Sequence, residues 1–304
     1  MTRPVRLTSL LLSLCVLVLS AALDAVPAQA SPTDYSVRGI DVSNYQGTIN
    51  WPPVAAAGTR FSYAKVTDGI TYTDPYFTRN YSIAKSLGVF AGGYHFALPD
   101  KSTGRVQADF FLDHAGYVDD GRTLPPMLDI EWPWSGSGSP SPCYGLTPAH
   151  MVAWIQDFVT RVADRTGRKA MIYTNTFWWN ECTGSNASFG AYPLFIANYT
   201  GTPTPLPAGW RTWTLWQYAS SGALPGDQDV FNGSLPDLTS LIGRTDGEVV
   251  VSSLADLTGD GRADIVTRDG TGVLRLYRTT GSTTNQIVAP PAQIGTGWNG
   301  LDIL

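Results

Sequence analysis

The sequence predicts an α/β fold in which strand-like and helix-like segments alternate from residue 37 to about residue 231. Three observations carry that expectation. Short apolar runs rich in β-branched and aromatic residues recur, several are followed by helical spacing, and glycine or N-cap residues mark the joins. Repeated strand-then-helix units imply parallel pairing with right-handed crossovers. Seven or so strands in one domain favour a modified (β/α) barrel over an open sheet. In such a barrel the chemistry collects at the C-terminal ends of the strands.

The elements follow in order. Residues 37–42 and 61–66 are short apolar strands. Residues 76–87 carry helical spacing and stop at Gly88, a suitable C-cap. Residues 89–96 make a third strand, and a helix follows through Val106, Phe110, Phe111 and His114. Residues 124–132 have the composition of a strand buried on both faces, interrupted by Asp129 and Glu131. A Ser/Gly/Pro-rich loop at 135–142 comes next. Thr147-Pro148 is a strong helix start, an N-cap followed by proline at the first helical position. Met151, Ile155, Phe158 and Val162 continue that helix at core-facing spacing to Gly167. Residues 170–174, 194–198 and 213–218 are further strands.

Asp129 and Glu131 stand two apart on the fourth strand, so a side-chain period of two puts both on one face. Like charges that close raise at least one pKa, which suits a pair of carboxyls working as one acid and one base. A pair in solvent at a strand end, or binding a cation, would show the same spacing. The strand-end rule adds Asp41 after the first strand, His95 after the third and Asp229 beyond the last. The same rim is expected to carry Tyr45, Tyr94, Trp132, Trp134, Tyr173, Trp178, Asn198, Tyr199, Trp216 and Tyr218. His95 reads as a hydrogen-bonding or substrate-contacting residue, because His114 and His150 offer no metal-ligand spacing with it. No nucleophile elbow or glycine-rich phosphate loop appears, so no cofactor for catalysis is expected.

Composition narrows the classes further. The formal net charge is −5, charged residues are 15%, and there is no basic run, so a nucleic-acid partner is not expected. Ten tryptophans fit a protein that handles a polymer with ring faces to stack on. Residues 1–30 read as a signal peptide: Arg3 and Arg6, an apolar stretch over 7–23, then Ala28-Gln-Ala30 as a cleavage site. That predicts a secreted, extracellular protein with no membrane attachment after signal removal, working as a monomer. Cys15 leaves with the signal, and in an oxidising compartment Cys143 and Cys182 are expected to pair.

Taken together, Gly39-Ile-Asp-Val-Ser-Asn-Tyr-Gln46, Phe61-Ser-Tyr-Ala-Lys65, Ala91-Gly-Gly-Tyr-His-Phe96 and Leu128-Asp-Ile-Glu131 resemble a glycoside hydrolase family 25 lysozyme. Ile172-Tyr-Thr-Asn175, Leu194-Phe-Ile-Ala-Asn-Tyr199, Trp216-Gln-Tyr218 and Asp229 continue the match, which runs over about residues 37–241. The resemblance implies a secreted N-acetylmuramidase that hydrolyses the β-1,4 bond between N-acetylmuramic acid and N-acetylglucosamine in bacterial peptidoglycan. It implies Glu131 as acid/base and Asp129, Asp41 and Asp229 as the other active-site carboxylates, with Tyr45, Tyr94, His95, Tyr173, Asn198, Trp216 and Tyr218 as substrate contacts. Phe195 and Asp68 depart from the family pattern, where Trp and Glu are usual. The alternative class is a non-catalytic cell-wall or saccharide-binding protein on the same barrel.

Composition changes near residue 246. Residues 244–304 are expected to form a separate small β segment after a hydrolase domain spanning 31–243. Asp256-Leu-Thr-Gly-Asp-Gly-Arg-Ala-Asp264 between two strands resembles an FG-GAP/VCBS-type repeat, with Asp256, Asp260 and Asp264 as ligands of a structural Ca²⁺.

Overall fold

The computed structural model describes residues 30–134, 136–139 and 141–242. Of the C-terminal part it describes 249–251, 256, 258, 260–262, 265–268, 274–277 and 292–295. The expected signal peptide, the boundary at 243/244 and Asp264 therefore fall outside the described residues. No described helix is long and apolar enough to cross a membrane.

Eight strands close a barrel: β1 (Arg38–Val42), β2 (Thr59–Asp68), β4 (Phe90–Phe96), β5 (Met127–Asp129), β6 (Met171–Thr174), β7 (Leu194–Ala197), β8 (Leu215–Ala219) and β9 (Asp227–Phe231). A two-residue β3 (Tyr72–Thr73) hangs antiparallel on β2. Pairing β1 with β2 completes the ring, and every neighbouring pair is parallel except the two that β9 makes with β8 and β1. The expected β/α barrel is thus present, with its last strand reversed. The helices are α1 (Trp51–Ala56), α2 (Phe77–Ser86), α3 (Gly104–Ala115), α4 (Pro148–Thr166), α5 (Thr176–Cys182) and α6 (Leu235–Ile242). Short α1 and α5 escape the periodicity argument because neither spans enough turns to show a period.

Local chemistry sets the helix ends. Thr147 caps α4 through its side chain on the His150 N–H, and Gly167 closes it at φ +68°. Met151, Ile155, Phe158 and Val162 face the core as their spacing predicts. In α3 the phase differs: Ala108, Phe111 and Leu112 are buried while Val106 is 47% exposed. That helix turns Gly104, Ala108, Phe111 and Leu112 inward, with Phe111 stacked on Phe158 of α4, and leaves Val106 on the outer face.

Two apolar clusters divide by strand parity. One fills the barrel with Phe61, Tyr63, Tyr94, Met127, Met171, Tyr173, Phe195, Leu215 and Phe231. The other packs Ile40, Val66, Leu128, Ile130, Ile172, Ile196, Trp216 and Val230 on the outside beneath the helices. Gly39 belongs to the inner set, where a Cβ would stand 2.3 Å from the Phe61 ring. Leu238 and Ile242 of α6 join the inner cluster, and Arg168 donates to the carbonyls of Leu241 and Ile242. The C-terminal strands β10 (Val249–Val251), β11 (Ile265–Arg268), β12 (Leu274–Tyr277) and β13 (Ala292–Gly295) form a four-stranded antiparallel sheet in sequence order.

Candidate active site

The topmost inward residue of most barrel strands faces a single cleft. Strand β1 supplies Asp41, β2 Lys65, β4 Tyr94, β5 Asp129, β6 Tyr173, β8 Gln217 and β9 Asp227. Glu131, just past β5, joins them, with Tyr45, Phe96 and Trp134 as walls around a volume of about 190 Å³. Tyr45, Lys65 and Trp134 also border an adjoining basin of about 520 Å³ formed with Asp68, Tyr72 and Leu98. The cleft therefore continues into an open, aromatic-edged groove, the shape an extended chain of sugars needs.

Charge is concentrated and poorly compensated. Burial pushes Glu131 up to about 7, with Lys65 opposing and Asp227 adding to the shift. Burial, then the Glu131 charge, hold Asp129 well above the usual carboxylate range, and Lys65 again opposes. Asp41 is pushed up to about 8 by burial and by Asp227, while burial takes Asp227 to about 6. These carboxyls cannot all ionise at neutral pH beside a single ammonium. The cleft consequently stores protons, as an acid catalyst requires. Lys65 lies 4.0 Å from Asp68 and 4.9 Å from the Phe96 ring centroid.

A glutamine organises the far wall. The hydroxyls of Tyr173 and Tyr199 donate to Gln217 Oε1 at 2.8 and 2.6 Å. That fixes the amide so that its Nε2 donates to Asp41 at 2.6 Å and to Asp227 at 3.0 Å. The loop after Glu131 is held from three sides. Tyr144 donates to the Glu131 carbonyl, Trp178 Nε1 donates to the Pro142 carbonyl, and Cys143 is bonded to Cys182. The expected disulfide is therefore formed.

Of the residues expected at the rim, Glu131, Asp129, Asp41, Tyr45, Tyr94 and Tyr173 all line the cleft. They differ elsewhere for reasons of parity and direction. His95 points outward and is fully buried between Thr67 Oγ1 and Gln107 Oε1, stacked on Phe158. Burial lowers it to about 4, so the ring is neutral at pH 7, and it is not part of the cleft lining. Trp216 and Tyr218 also face outward, with Trp216 donating to the Asn198 carbonyl and Tyr218 packed on its ring. Gln217 between them is the inward residue. Asn198 spends its side chain on the Thr200 backbone and the Thr204 carbonyl, shaping its own loop. Trp178 is buried, while Trp132 and Trp134 are exposed at the rim.

Asp229 lies in the barrel interior, 1% exposed, and the rim position belongs to Asp227. The reversed β9 explains this, because its first residue meets the rim and its third lies deeper. In the C-terminal segment the Asp256 carboxylate accepts the N–H groups of Asp260 and Gly261, and Asp260 accepts that of Arg262. Among the described residues no group of three His, Cys, Asp or Glu side chains could hold a metal ion.

Lys65, Gln217 and Asp227 line the cleft without being among the site residues expected from the sequence. A lysine inside an apolar strand was a readable signal for the first. The other two required the strand phase and the direction of β9.

Comparison with known proteins bears on the whole of this region. Residues 40–227 match the family model for Glycosyl hydrolases family 25. The chain is 44% identical to Lysozyme M1 of Streptomyces globisporus, over 70% of its own length and 74% of that protein. It is 43% identical to an N,O-diacetylmuramidase of Chalaropsis sp, over 68% of this chain and 99% of that one. A family GH25 lysozyme from Aspergillus fumigatus superposes with a TM-score of 0.65 at 45% identity, covering 68% of this chain and 99% of the other.

Proposed function

This chain belongs to glycosyl hydrolases family 25, and from that premise we propose how its cleft divides the work of cutting peptidoglycan. It is a lysozyme, a muramidase that hydrolyses the β-1,4 bond between N-acetylmuramic acid and N-acetylglucosamine by carboxylate acid/base chemistry. Catalysis needs no cofactor. The observation that carries the reading is the convergence of Glu131, Asp129, Asp41 and Asp227 on one aromatic-walled cleft at the strand ends.

Glu131 is the acid. With its pKa near 7 it gives its proton to the glycosidic oxygen as the bond to the anomeric carbon breaks. The substrate's own acetamido oxygen bonds to that carbon, and Asp129 accepts the amide N–H. One oxygen of Asp129 has no partner among the described residues, which suits that role. Glu131, now a carboxylate, takes a proton from water as the water oxygen bonds to the anomeric carbon and the acetamido bond opens. The sugar configuration is retained. Asp41 and Asp227, held by Gln217, support the positive charge that develops on the ring. Asp227 takes the rim position expected of Asp229.

The test is digestion of purified peptidoglycan with identification of the new reducing end. Muramic acid ends are expected, and glucosamine ends would refute the reading. Glu131→Gln should fold and lose activity by about 10²-fold or more. Persistence of near-parent activity would remove Glu131 from the acid role.

The protein acts on peptidoglycan as a secreted, extracellular monomer. The basis is the N-terminal signal pattern, the Cys143–Cys182 bridge and the lysozyme relatives. The C-terminal segment is an FG-GAP/VCBS-type unit with a Ca²⁺ loop of Asp256, Asp260 and Asp264. Its four antiparallel strands and Asp-Gly turn support this reading. Calcium titration by calorimetry tests it, and the absence of a calcium-dependent heat would refute it.

A further inference from the structure

Directly beneath the cleft lies a carboxyl group that the mechanism does not use. Asp229 is buried to 1% exposure, and neither of its oxygens meets an N–H or O–H donor among the described residues. Its register partner across β1 is Gly39, which has no side chain to offer, while Asp227 at the rim is partnered with Asp41. Phe231, the next inward residue of β9, belongs to the apolar filling of the barrel. An ionised carboxylate in that position would lack both water and a donor, which costs several kcal/mol. The group that does reach it is another acid, the side chain of Asp41.

We propose that Asp229 is held as the neutral carboxylic acid and donates its O–H to Asp41, so that the pair buried under the cleft keeps one proton when Asp41 ionises. Asp229 is then a positioning residue. Asp41 is fixed from two directions, by Gln217 Nε2 at 2.6 Å and by the Asp229 hydroxyl from below. The Gln217 amide cannot turn to present its oxygen, because two tyrosine hydroxyls already donate to it. The charged and titratable groups that bear on Asp229 inside the barrel are Asp41 from β1 and Asp227 from β9 itself. Neither of them is a cation that would favour ionisation. The burial that raises Asp229 well above the usual carboxylate range acts in the same direction. Asp41 is the member that titrates, so rising pH charges the wall of the cleft and leaves the layer below neutral.

The inference deepens the muramidase reading, since Asp41 matters to catalysis only if that reading holds. Its first test needs no turnover. The infrared difference between the full chain and its Asp229→Asn variant at pH 7 should show a protonated-carboxyl C=O stretch that the variant lacks. Absence of that band would overturn the proposal, whatever the protein hydrolyses. The second test is kinetic. Asp229→Asn keeps an N–H aimed at Asp41 and should hold kcat within about threefold, with the parent's pH profile. Asp229→Leu removes the donor and should lower kcat about tenfold, the worth of one hydrogen bond to a charged group, and move the limb due to Asp41 while KM stays put. If the leucine variant fails to fold, the asparagine variant and the infrared band decide. Loss of activity in Asp229→Asn as complete as in Glu131→Gln would show that Asp229 must ionise, and would refute the pair.

Discussion

Tyr144 donates its hydroxyl proton to the backbone carbonyl of Glu131 at 2.8 Å while its own backbone stands at φ +58°. A buried tyrosine in the left-handed region costs of order 1–3 kcal/mol, and such strain persists where surrounding structure enforces it. Here the enforcement comes from the adjacent Cys143–Cys182 bridge and from Trp178 on Pro142. Tyr144→Phe keeps the packing and removes the bond that steadies the turn bearing the acid. We expect kcat on peptidoglycan to fall about fivefold, and the folded state to lose about 1 kcal/mol, the worth of one neutral hydrogen bond. An unchanged kcat would show that the turn is steadied without it.

The pH profile should report Glu131. As the proton donor it must be protonated, so activity is lost as pH rises through about 7. The negative charge of Asp227 contributes to that raised value. Asp227→Asn therefore moves the alkaline limb to lower pH, and kcat measured from pH 5 to 9 reads the shift. An upward movement would contradict the assignment.

Reduction-proof loss of the bridge should be costly. Cys143 and Cys182 close a loop with a sequence separation of 39, and loop-closure entropy makes that worth about 2–4 kcal/mol. The double serine variant should show this loss in urea unfolding. Its kcat should also fall, because the same bridge flanks Tyr144.

His95 offers a stability test with a definite sign. Its folded pKa of about 4 lies below the free value of 6.5, so the neutral ring stabilises the fold above pH 6.5. That contribution is lost as pH falls through about 4. His95→Phe should be less stable than the parent at pH 7, the gap should narrow by pH 4.5, and KM should not move. Denaturation midpoints at the two pH values measure it, and a raised KM would put His95 back in contact with substrate.

The strand-then-helix alternation was enough to read the barrel, and the strand-end rule alone brought Asp41, Asp129 and Glu131 to one place. Its failures share a cause. A strand of five residues does not announce which alternate set turns inward, and in β8 the large aromatics Trp216 and Tyr218 masked a smaller, polar Gln217 that does. Nor does local sequence state strand direction. The family-like order of motifs placed an acid near residue 229, but only the reversal of β9 decides that the rim receives Asp227. His95 sits next to a true cleft residue, Tyr94, and one step along a strand is enough to send a side chain out under the helices.

That reversal also has a consequence for traffic. Because β9 starts at the catalytic mouth and runs away from it, the polypeptide leaves the barrel at the opposite pole, where α6 stops the bottom of the interior with Leu238 and Ile242. Entrance and exit are separated by the full height of the barrel. A cargo grafted after residue 242 would begin at the pole of the barrel opposite the catalytic mouth.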